Sequence, residues 1–581
     1  MVVKGSQRRW SPQGADSRMR RLRKRTMVDY LVMMRWIPVV FVVLPLSFLL
    51  HTICYLQQLW CSRLSYADRR QTHDRNVMMV IRRLRQRNPE RDGLVCTARK
   101  QWVTAGTRGM EYKRARHFEV DLSAFCNILS IDAARMVARV EPLVTMGQIT
   151  RATVPLGLSL AVVPELDDLT IGGLINAYGI EGSSHIHGLF SDTIISYEIV
   201  LGDGRLVRAT ADNEYSDLFH AVPWSQGTLG LLIAAEIRLI HIKEYMRLRY
   251  TPVRGTLREI SEAYISSFTS PYADDTAMNA VVNTIEQAKE KLAVPDFVET
   301  LIFSPTEAVC MTGRYASAKE AKQKGNVVNK QGLWFKPWFY QHAQAALEKG
   351  EFVEYIPTRD YYHRHTRSYF WEVKLLLPFG DQPWFRWLFG WMMPPKIPLL
   401  KITEAPAIRE YYHQNHVMQD LLVPLHRVAD ALEFMHTEVE VYPIWLCPHK
   451  VFKSPFKTML QPEQNYEKQM GKGDTADAQM FTDVGLYNTP AAIMRHEEFD
   501  GIKACKRIEK WLIDNHGYQA LYTVTELSEE DFWRMFDKTL YNDCRRKYKA
   551  VGTFMSVYYK TKKGIKSAKD VQTEEQTALT D

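Results

Sequence analysis

The chain has 581 residues, 46% of them hydrophobic and 11% aromatic, with a formal net charge of +9. That length and apolar content exclude a wholly disordered chain and allow two or three domains with real cores. Its eight cysteines, at 54, 61, 96, 126, 310, 447, 505 and 544, form no CxxC pair; this excludes a zinc framework and suits reduced thiols in a cytosol-facing body. Much of the basic excess lies at 18–25, 82–87 and 560–569, beside apolar segments or in a tail. That arrangement favours anionic lipid over nucleic acid, so we expect no nucleic-acid partner and no metal site.

Residues 1–35 read as a basic N-terminal segment, with 1–25 of disordered composition. Residues 36–58 are apolar over the roughly 20 residues that a bilayer-spanning helix needs. A retained single-pass anchor is expected, although Pro38 and Pro45 also allow a kinked or re-entrant segment. In the juxtamembrane basic helix at 59–92, Val77, Val80, Ile81 and Leu84 share one face among Arg82, Arg83, Arg85 and Arg87. Such a face packs on a neighbouring domain or serves as a lipid-surface or calmodulin-type helix.

A domain is expected over 93–240. Phe118, Val120 and Leu122 alternate as a strand, 128–132 and 137–141 read as a hairpin, and a helix opens at Met146. The strand at 157–162 leads into Val163-Pro164-Glu165-Leu166-Asp167-Asp168-Leu169-Thr170-Ile171-Gly172-Gly173-Leu174-Ile175. Two consecutive glycines let a backbone turn tightly and approach another molecule, and with the Thr170 hydroxyl they can aim N–H groups at a phosphate; a plain turn is the alternative. After it come a hairpin turning at Gly202-Asp203-Gly204, the stretch Ser225-Gln226-Gly227-Thr228-Leu229-Gly230, and a last strand at 234–240.

Over 241–497 the Gly-rich loops give way to Tyr and Trp. Trp384, Phe385, Trp387, Phe389 and Trp391 crowd a segment too short to span a membrane; it is either an interfacial surface or core. In Tyr361-Tyr362-His363-Arg364-His365-Thr366-Arg367-Ser368, His363 and His365 would share a face of a strand. They make a poor metal site, which leaves proton donation, pyrophosphate contact or structural hydrogen bonding. Residues 498–559 hold an aromatic stretch followed by Arg545-Arg546-Lys547, and 560–581 form a polar tail.

The order of pieces over about 93–240 resembles the FAD-binding domain of the vanillyl-alcohol-oxidase (PCMH-type) flavoprotein superfamily. More narrowly, PELDDLTIGGLI, GIEGSSH, NEYSDLF, PWSQGTLG, YYHRHTRS and FGWMMPPK resemble the Δ24-sterol reductases, the diminuto/seladin group, from about Lys24 to Tyr559. The stretches WFKPWFYQHAQ, KGEFVEYIPTR, AQMFTDVG and GTFMSVYYK look like the plant type. The resemblance implies an α+β chain: a PCMH-type two-subdomain FAD-binding fold, an antiparallel-sheet substrate cap at 241–497, a return to the flavin domain at 498–559, and an N-terminal membrane anchor. It implies non-covalent FAD held by 163–175, Ser183, Ser184, Gly227, Thr228, Leu229 and Gly230, and NADPH as reductant. It also implies a sterol with a Δ24 or 24-methylene side chain, with Δ24(28) isomerisation in plant-type members. The expected place is the endoplasmic reticulum membrane with a cytosolic body, against a positive-inside bias that points the other way.

Two departures stand out. The stretch Cys96 to Trp102 lacks the glycines of the superfamily's pyrophosphate loop, so Arg99 or Lys100 would have to supply charge there. His185 is the nearest candidate for a covalent flavin tether, which these reductases are understood not to use. With no GxGxxG fingerprint, the nicotinamide would meet the flavin face transiently. Saturating an unactivated alkene by protonation at C24 and hydride delivery at C25 demands an acid, a dry pocket and aromatic faces. The candidate acids are Tyr522, Tyr518, His363, His365 and Glu372, while Glu165 or Asp168 would hold the loop or contact the flavin. Alternative readings are a flavin oxidase or dehydrogenase of another small substrate, or a non-catalytic calmodulin-binding membrane scaffold.

Overall fold

The computed structural model describes residues 23, 25–99, 117–269 and 294–562. Lys100 and most of the polar tail lie outside the described residues.

Strands β1 (Val95–Thr97) and β2 (Phe118–Val120) form a small parallel pair. A six-stranded antiparallel sheet follows, from β3 (Ile128–Asp132), β4 (Val137–Val140), β5 (Leu158–Leu160), β6 (Ile194–Val200), β7 (Leu206–Ala209) and β8 (Leu231–His241). Its order is β3-β4-β8-β6-β7, with β5 also paired to β8. The β6–β7 hairpin closes through Gly204, whose φ of 78° suits a residue without a side chain. Gly230 serves packing: a Cβ there would lie 2.5 Å from Ile199 Cγ2.

The second sheet contains β9 (Tyr245–Arg254), β10 (Phe297–Ser304), β11 (Glu307–Ala316), β12 (Phe352–Pro357), β13 (Val417–Pro424), β14 (Ile444–Phe452), β15 (Ala478–Asn488) and β16 (Tyr518–Gln519). It is eight-stranded and antiparallel, in the order β12-β9-β11-β10-β14-β15-β13-β16. Its central strand β15 is buried along nearly its whole length, as expected for a strand covered on both faces. One continuous hydrophobic core joins the two sheets.

The basic helix Tyr66–Arg85 buries Val77, Val80, Ile81 and Leu84 in a smaller core with Phe118, Val120, Val200, Leu231 and Phe554. That corrects the calmodulin-type reading of this helix, because the apolar face such a partner would grip is already occupied. The N-terminal helices Met27–Met33, Trp36–Pro38 and Leu44–Arg63 are joined at Pro38 by a π-helical turn, Val39–Val43, the kind of irregularity that proline introduces. Together they are long and apolar enough to cross a membrane. Val39, Val40, Val43 and Leu44 nevertheless pack into the main core.

The chain returns to the first sheet at its end. Tyr541 Oη lies 2.6 Å from Thr228 Oγ1, Lys547 pairs with Asp217 at 2.7 Å, and Val95 bridges to Phe554.

Candidate active site

Three loops of the first sheet lie together, and two of them reach the cap and the second sheet. The stretch after β5 is anchored through its own backbone: Ile171 N donates to Val144 O, Gly172 N to Pro142 O, and Leu169 O and Asp167 O accept from Met146 N and Gly147 N. The two glycines divide the work. A Cβ on Gly172 would lie 2.7 Å from Pro142 Cβ, so Gly172 permits packing; Gly173 is exposed, with only Thr170 Oγ1 near its open side. The two aspartates of this loop face the cap, while Val163, Ile171, Leu174 and Ile175 are buried in the core. Asp167 pairs with Arg359 at 3.1 Å, and Asp168 with Lys396 at 2.6 Å. Burial opposes ionisation of Asp167, but His363, Arg359 and other nearby cations hold its carboxyl below the usual range. Thr366 Oγ1 accepts from Asp167 N and donates to Glu165 O. Asp167 and Asp168, expected at the cofactor, are therefore clasps between loop and cap.

The second loop is strained. Trp224, Gln226 and Gly227 have φ of 67°, 56° and 67°; such left-handed conformations cost non-glycine residues roughly 1–3 kcal/mol each and cluster at functional sites. Asn176 stitches the loops together, since its O accepts from Gln226 N and its Nδ2 donates to Gly172 O. Thr228 Oγ1 donates to Ser225 O at 2.6 Å, and Leu229 is buried. In the third loop Ser183 Oγ donates to Ala161 O and Ser184 Oγ accepts from Glu181 N. The hydroxyls of Ser183 and Ser184 thus hold the loop itself. His185 is buried with its ring nitrogens 2.9 and 2.8 Å from Gly182 O and Pro295 O. Burial lowers its pKa to about 4, and a ring so occupied is unsuited to a flavin tether.

Opposite these loops, the second sheet carries carboxylates in apolar strands. Glu299 of β10 accepts from Arg364 Nε at 2.7 Å and from Trp445 Nε1 at 3.0 Å, while Arg364 Nη2 donates to Glu181 at 2.8 Å. Arg364, fully buried, also stacks its cation 4.2 Å from the Tyr361 ring centroid. Asp420 of β13 accepts from Tyr487 of β15 and from Tyr522. Burial pushes Asp420 up to about 6 despite these bonds. Burial and the charge of Asp420 push Asp483 well above the carboxylate range, and burial with Glu181 does the same to Glu165. Glu372 is pushed up to about 8, by burial and then by Asp420. Within this group Glu372 and Tyr522 retain uncovered surface, whereas Asp420, Asp483 and Tyr487 are sealed.

The five expected acids separate accordingly. Glu372 and Tyr522 come together at Asp420. Tyr518 does not: its hydroxyl donates to Gln461 O at 2.8 Å, and its ring packs between Phe481 and Phe536. His363 lies 2.8 Å from Thr150 Oγ1 and 3.4 Å from Asp167, where it braces the loop. His365 bonds Glu299 at 3.2 Å and stacks on Phe370 at 4.1 Å. Burial lowers both histidines to about 4, so at neutral pH neither is the imidazolium that a general acid requires. Nor do they share a strand face: after the helix Thr358–Tyr362 the chain turns, with Tyr369 and Phe370 at positive φ. Asp420, Asp483, Tyr487 and Glu299 are not singled out by sequence, and Arg364 only as a member of the polar cluster 361–368. The available signal was a single carboxylate inside each of three apolar strands, FVETLIFS, VMQDLLVP and AQMFTDVGLYN.

A flavin fits this arrangement. Gly173 and Gly227 leave open backbone between the loops. Tyr178, Asp483 and His449 are buried polar groups close to these loops, with Tyr178 and Asp420 as the neighbours of Asp483. Arg99, raised above as a charge source, is held below the usual guanidinium range by burial.

The comparisons with known proteins agree. A family model described as FAD binding domain matches residues 99–210. The chain is 61% identical to the Delta(24)-sterol reductase of Arabidopsis thaliana over 557 residues, 96% of either chain. It is 62% identical to that of Pisum sativum, over 97% of each chain. The chain belongs to the Δ24-sterol reductase family. The Homo sapiens Delta(24)-sterol reductase is 40% identical over 91% of this chain and 94% of its own. A match of this extent takes in the second sheet with Glu372, Asp420 and Tyr522 as well as the FAD-binding domain.

Proposed function

We propose that this chain saturates the side-chain C24 double bond of a sterol, with non-covalent FAD and NADPH as reductant. The arrangement that carries the chemical part is Glu372 beside Tyr522 and Asp420, where burial and then the charge of Asp420 push its carboxyl up to about 8.

Saturating an alkene adds a hydride and a proton. When bound, FAD reduced by NADPH supplies the hydride. The chain itself supplies the proton and excludes water. Glu372 keeps its proton at neutral pH because an ionised carboxylate there would sit in a desolvated site beside Asp420. Transfer of that proton to C24 leaves positive charge at C25. The buried aromatic group of Phe370, Trp371 and Tyr487, with ring centroids 5.0–5.9 Å apart, packs beside Glu372 and keeps water from it. Tyr522, its hydroxyl bonded to Asp420, keeps its own proton and helps to shape the acid site, and Glu372 is reprotonated from solvent once the product has left. Gly173 and Gly227 with the strained loop 224–227 would receive the cofactor, and the break between β8 and β9 supports a boundary near 240.

We place the body on the cytosolic face of the endoplasmic reticulum. Cys54, Cys96, Cys126, Cys310, Cys447, Cys505 and Cys544 are free thiols, which suits a reducing compartment. The test is anaerobic turnover by full-length, detergent-solubilised protein with FAD and NADPH, given desmosterol and 24-methylenecholesterol in parallel. Saturation of either side chain supports the reading, and a Δ24(25) isomer appearing from the second before its saturated product establishes isomerisation as well. Flavin reduction with neither sterol changed overturns the substrate.

A further inference from the structure

The N-terminal helices and the Trp-rich segment of the cap are one surface. Phe48 and Trp391 meet edge to face at 4.7 Å, and Trp36 meets Phe379 at 5.2 Å. Phe41, Leu49 and Ile53 on the helices are exposed, as are Trp387, Leu388 and Trp391 on the cap; Trp387 is 60% exposed. Aromatic side chains of this kind settle at a lipid–water boundary.

The other side of the same helices is held to the body from end to end. Arg23 N donates to His496 O at 2.7 Å, before the first helix begins. Arg35, buried, bonds Glu404 at 2.9 Å and Leu400 O at 3.0 Å. Ser47 Oγ accepts from Lys396 N at 2.8 Å, and Gln58 accepts from Arg151 at 2.7 Å. Between Arg35 and Gln58 a helix rises roughly 35 Å, the whole hydrocarbon thickness of about 30 Å. A spanning helix keeping these contacts would drag Glu404, the Lys396–Asp168 pair and Arg151 into the bilayer core, where charged groups are strongly disfavoured.

We infer that the chain is monotopic: helices 27–63 lie along one leaflet with the cap helix Pro383–Phe389, forming a composite face whose partner is the lipid bilayer, and both chain ends stay on the same side. This deepens the membrane part of the reading above and rests on it, but not on the sterol chemistry. It also gives a lipid-borne substrate a short route. Ser47 touches Lys396, which clasps Asp168 of the cofactor loop, and half-buried Leu166 and Leu169 lie beside that clasp.

The test is topology mapping of the full chain in sealed endoplasmic reticulum microsomes, with an N-glycosylation acceptor tag at either end. The expected result is no glycosylation of either tag, digestion of both by added protease, and retention of the protein in the pellet after alkaline carbonate. Glycosylation of one tag alone establishes a span and overturns the inference, as does release of the protein by carbonate. A triple variant W387S/L388S/W391S leaves the N-terminal helices untouched, and retained flavin absorbance checks its fold. Its carbonate-resistant fraction is expected to fall several-fold, and unchanged retention would overturn the composite face. None of these readouts depends on turnover, so failure here is distinguishable from failure of the sterol assignment.

Discussion

Replacing Glu372 by Gln removes one proton and keeps the shape of the side chain. In the folded protein Glu372 has a pKa near 8 against an ordinary 4.5. Between those values the folded chain binds a proton that the unfolded chain has lost, so the group's contribution to stability falls as pH rises from 4.5 through 8. At pH 7 this amounts to roughly 3 kcal/mol of destabilisation, at about 1.4 kcal/mol per pH unit. Glu372→Gln carries no such penalty and is expected to unfold at higher temperature, by a margin that shrinks toward pH 5. It also cannot donate the proton. A general acid contributes roughly 100- to 10,000-fold, so sterol turnover should fall by that range with flavin content unchanged. Native turnover should decline above pH 8 by about tenfold per unit as the carboxyl ionises, and the variant should lack that limb. Anaerobic single-turnover rates between pH 6 and 9.5, with thermal unfolding at pH 5 and 7, measure both effects. A variant that turns over at the native rate, or a native profile flat through pH 9, would refute the role given to Glu372.

Tyr522→Phe is expected to slow turnover by roughly 10- to 100-fold with little loss of bound flavin, whereas Tyr518→Phe, which loses its bonds to Gln461 and His516, should cost about 1 kcal/mol of stability and leave turnover nearly native; parallel assays of the pair compare the two hydroxyls. Gly172→Ala pushes a methyl against Pro142 and should lower stability by roughly 1–3 kcal/mol, while Gly173→Ala should leave the melting temperature near native and weaken FAD binding, as read by titration of the apoprotein. Arg364→Met strands Glu181 and Glu299 in the core, a loss of roughly 3–5 kcal/mol by denaturant unfolding. Denaturing the native protein should release its flavin into the supernatant, because His185 is held by backbone carbonyls; flavin fluorescence remaining with the precipitated chain would contradict this.

Local chemistry was legible wherever neighbours along the chain decide it. The hairpin turning at Gly202-Asp203-Gly204, the strand before Val163 and the helix opening at Met146 follow from turn residues and apolar period, and the structure places elements there. The glycine pair at Gly172 and Gly173 announced a tight approach, but only the fold decided that one glycine meets Pro142 and the other the open site. Asp167 and Asp168 looked like ligand groups because nothing near them in sequence carries the opposite charge. Their partners Arg359 and Lys396 arrive from about two hundred residues away. The same distance hid which of the five candidate acids keeps its proton. Asp420, Tyr487 and Tyr522 are ordinary residues on separate elements, and Glu372 acquires its raised pKa only when the second sheet closes over it and removes water. The sequence by itself determined a flavin-binding chain of the sterol-reductase type with an apolar N-terminal helix, because motif and period are short-range properties. Tertiary structure alone decided which carboxyl keeps a proton, which tyrosine stands beside it and which side of that helix faces lipid, because desolvation and charge pairing depend on segments far apart in the chain.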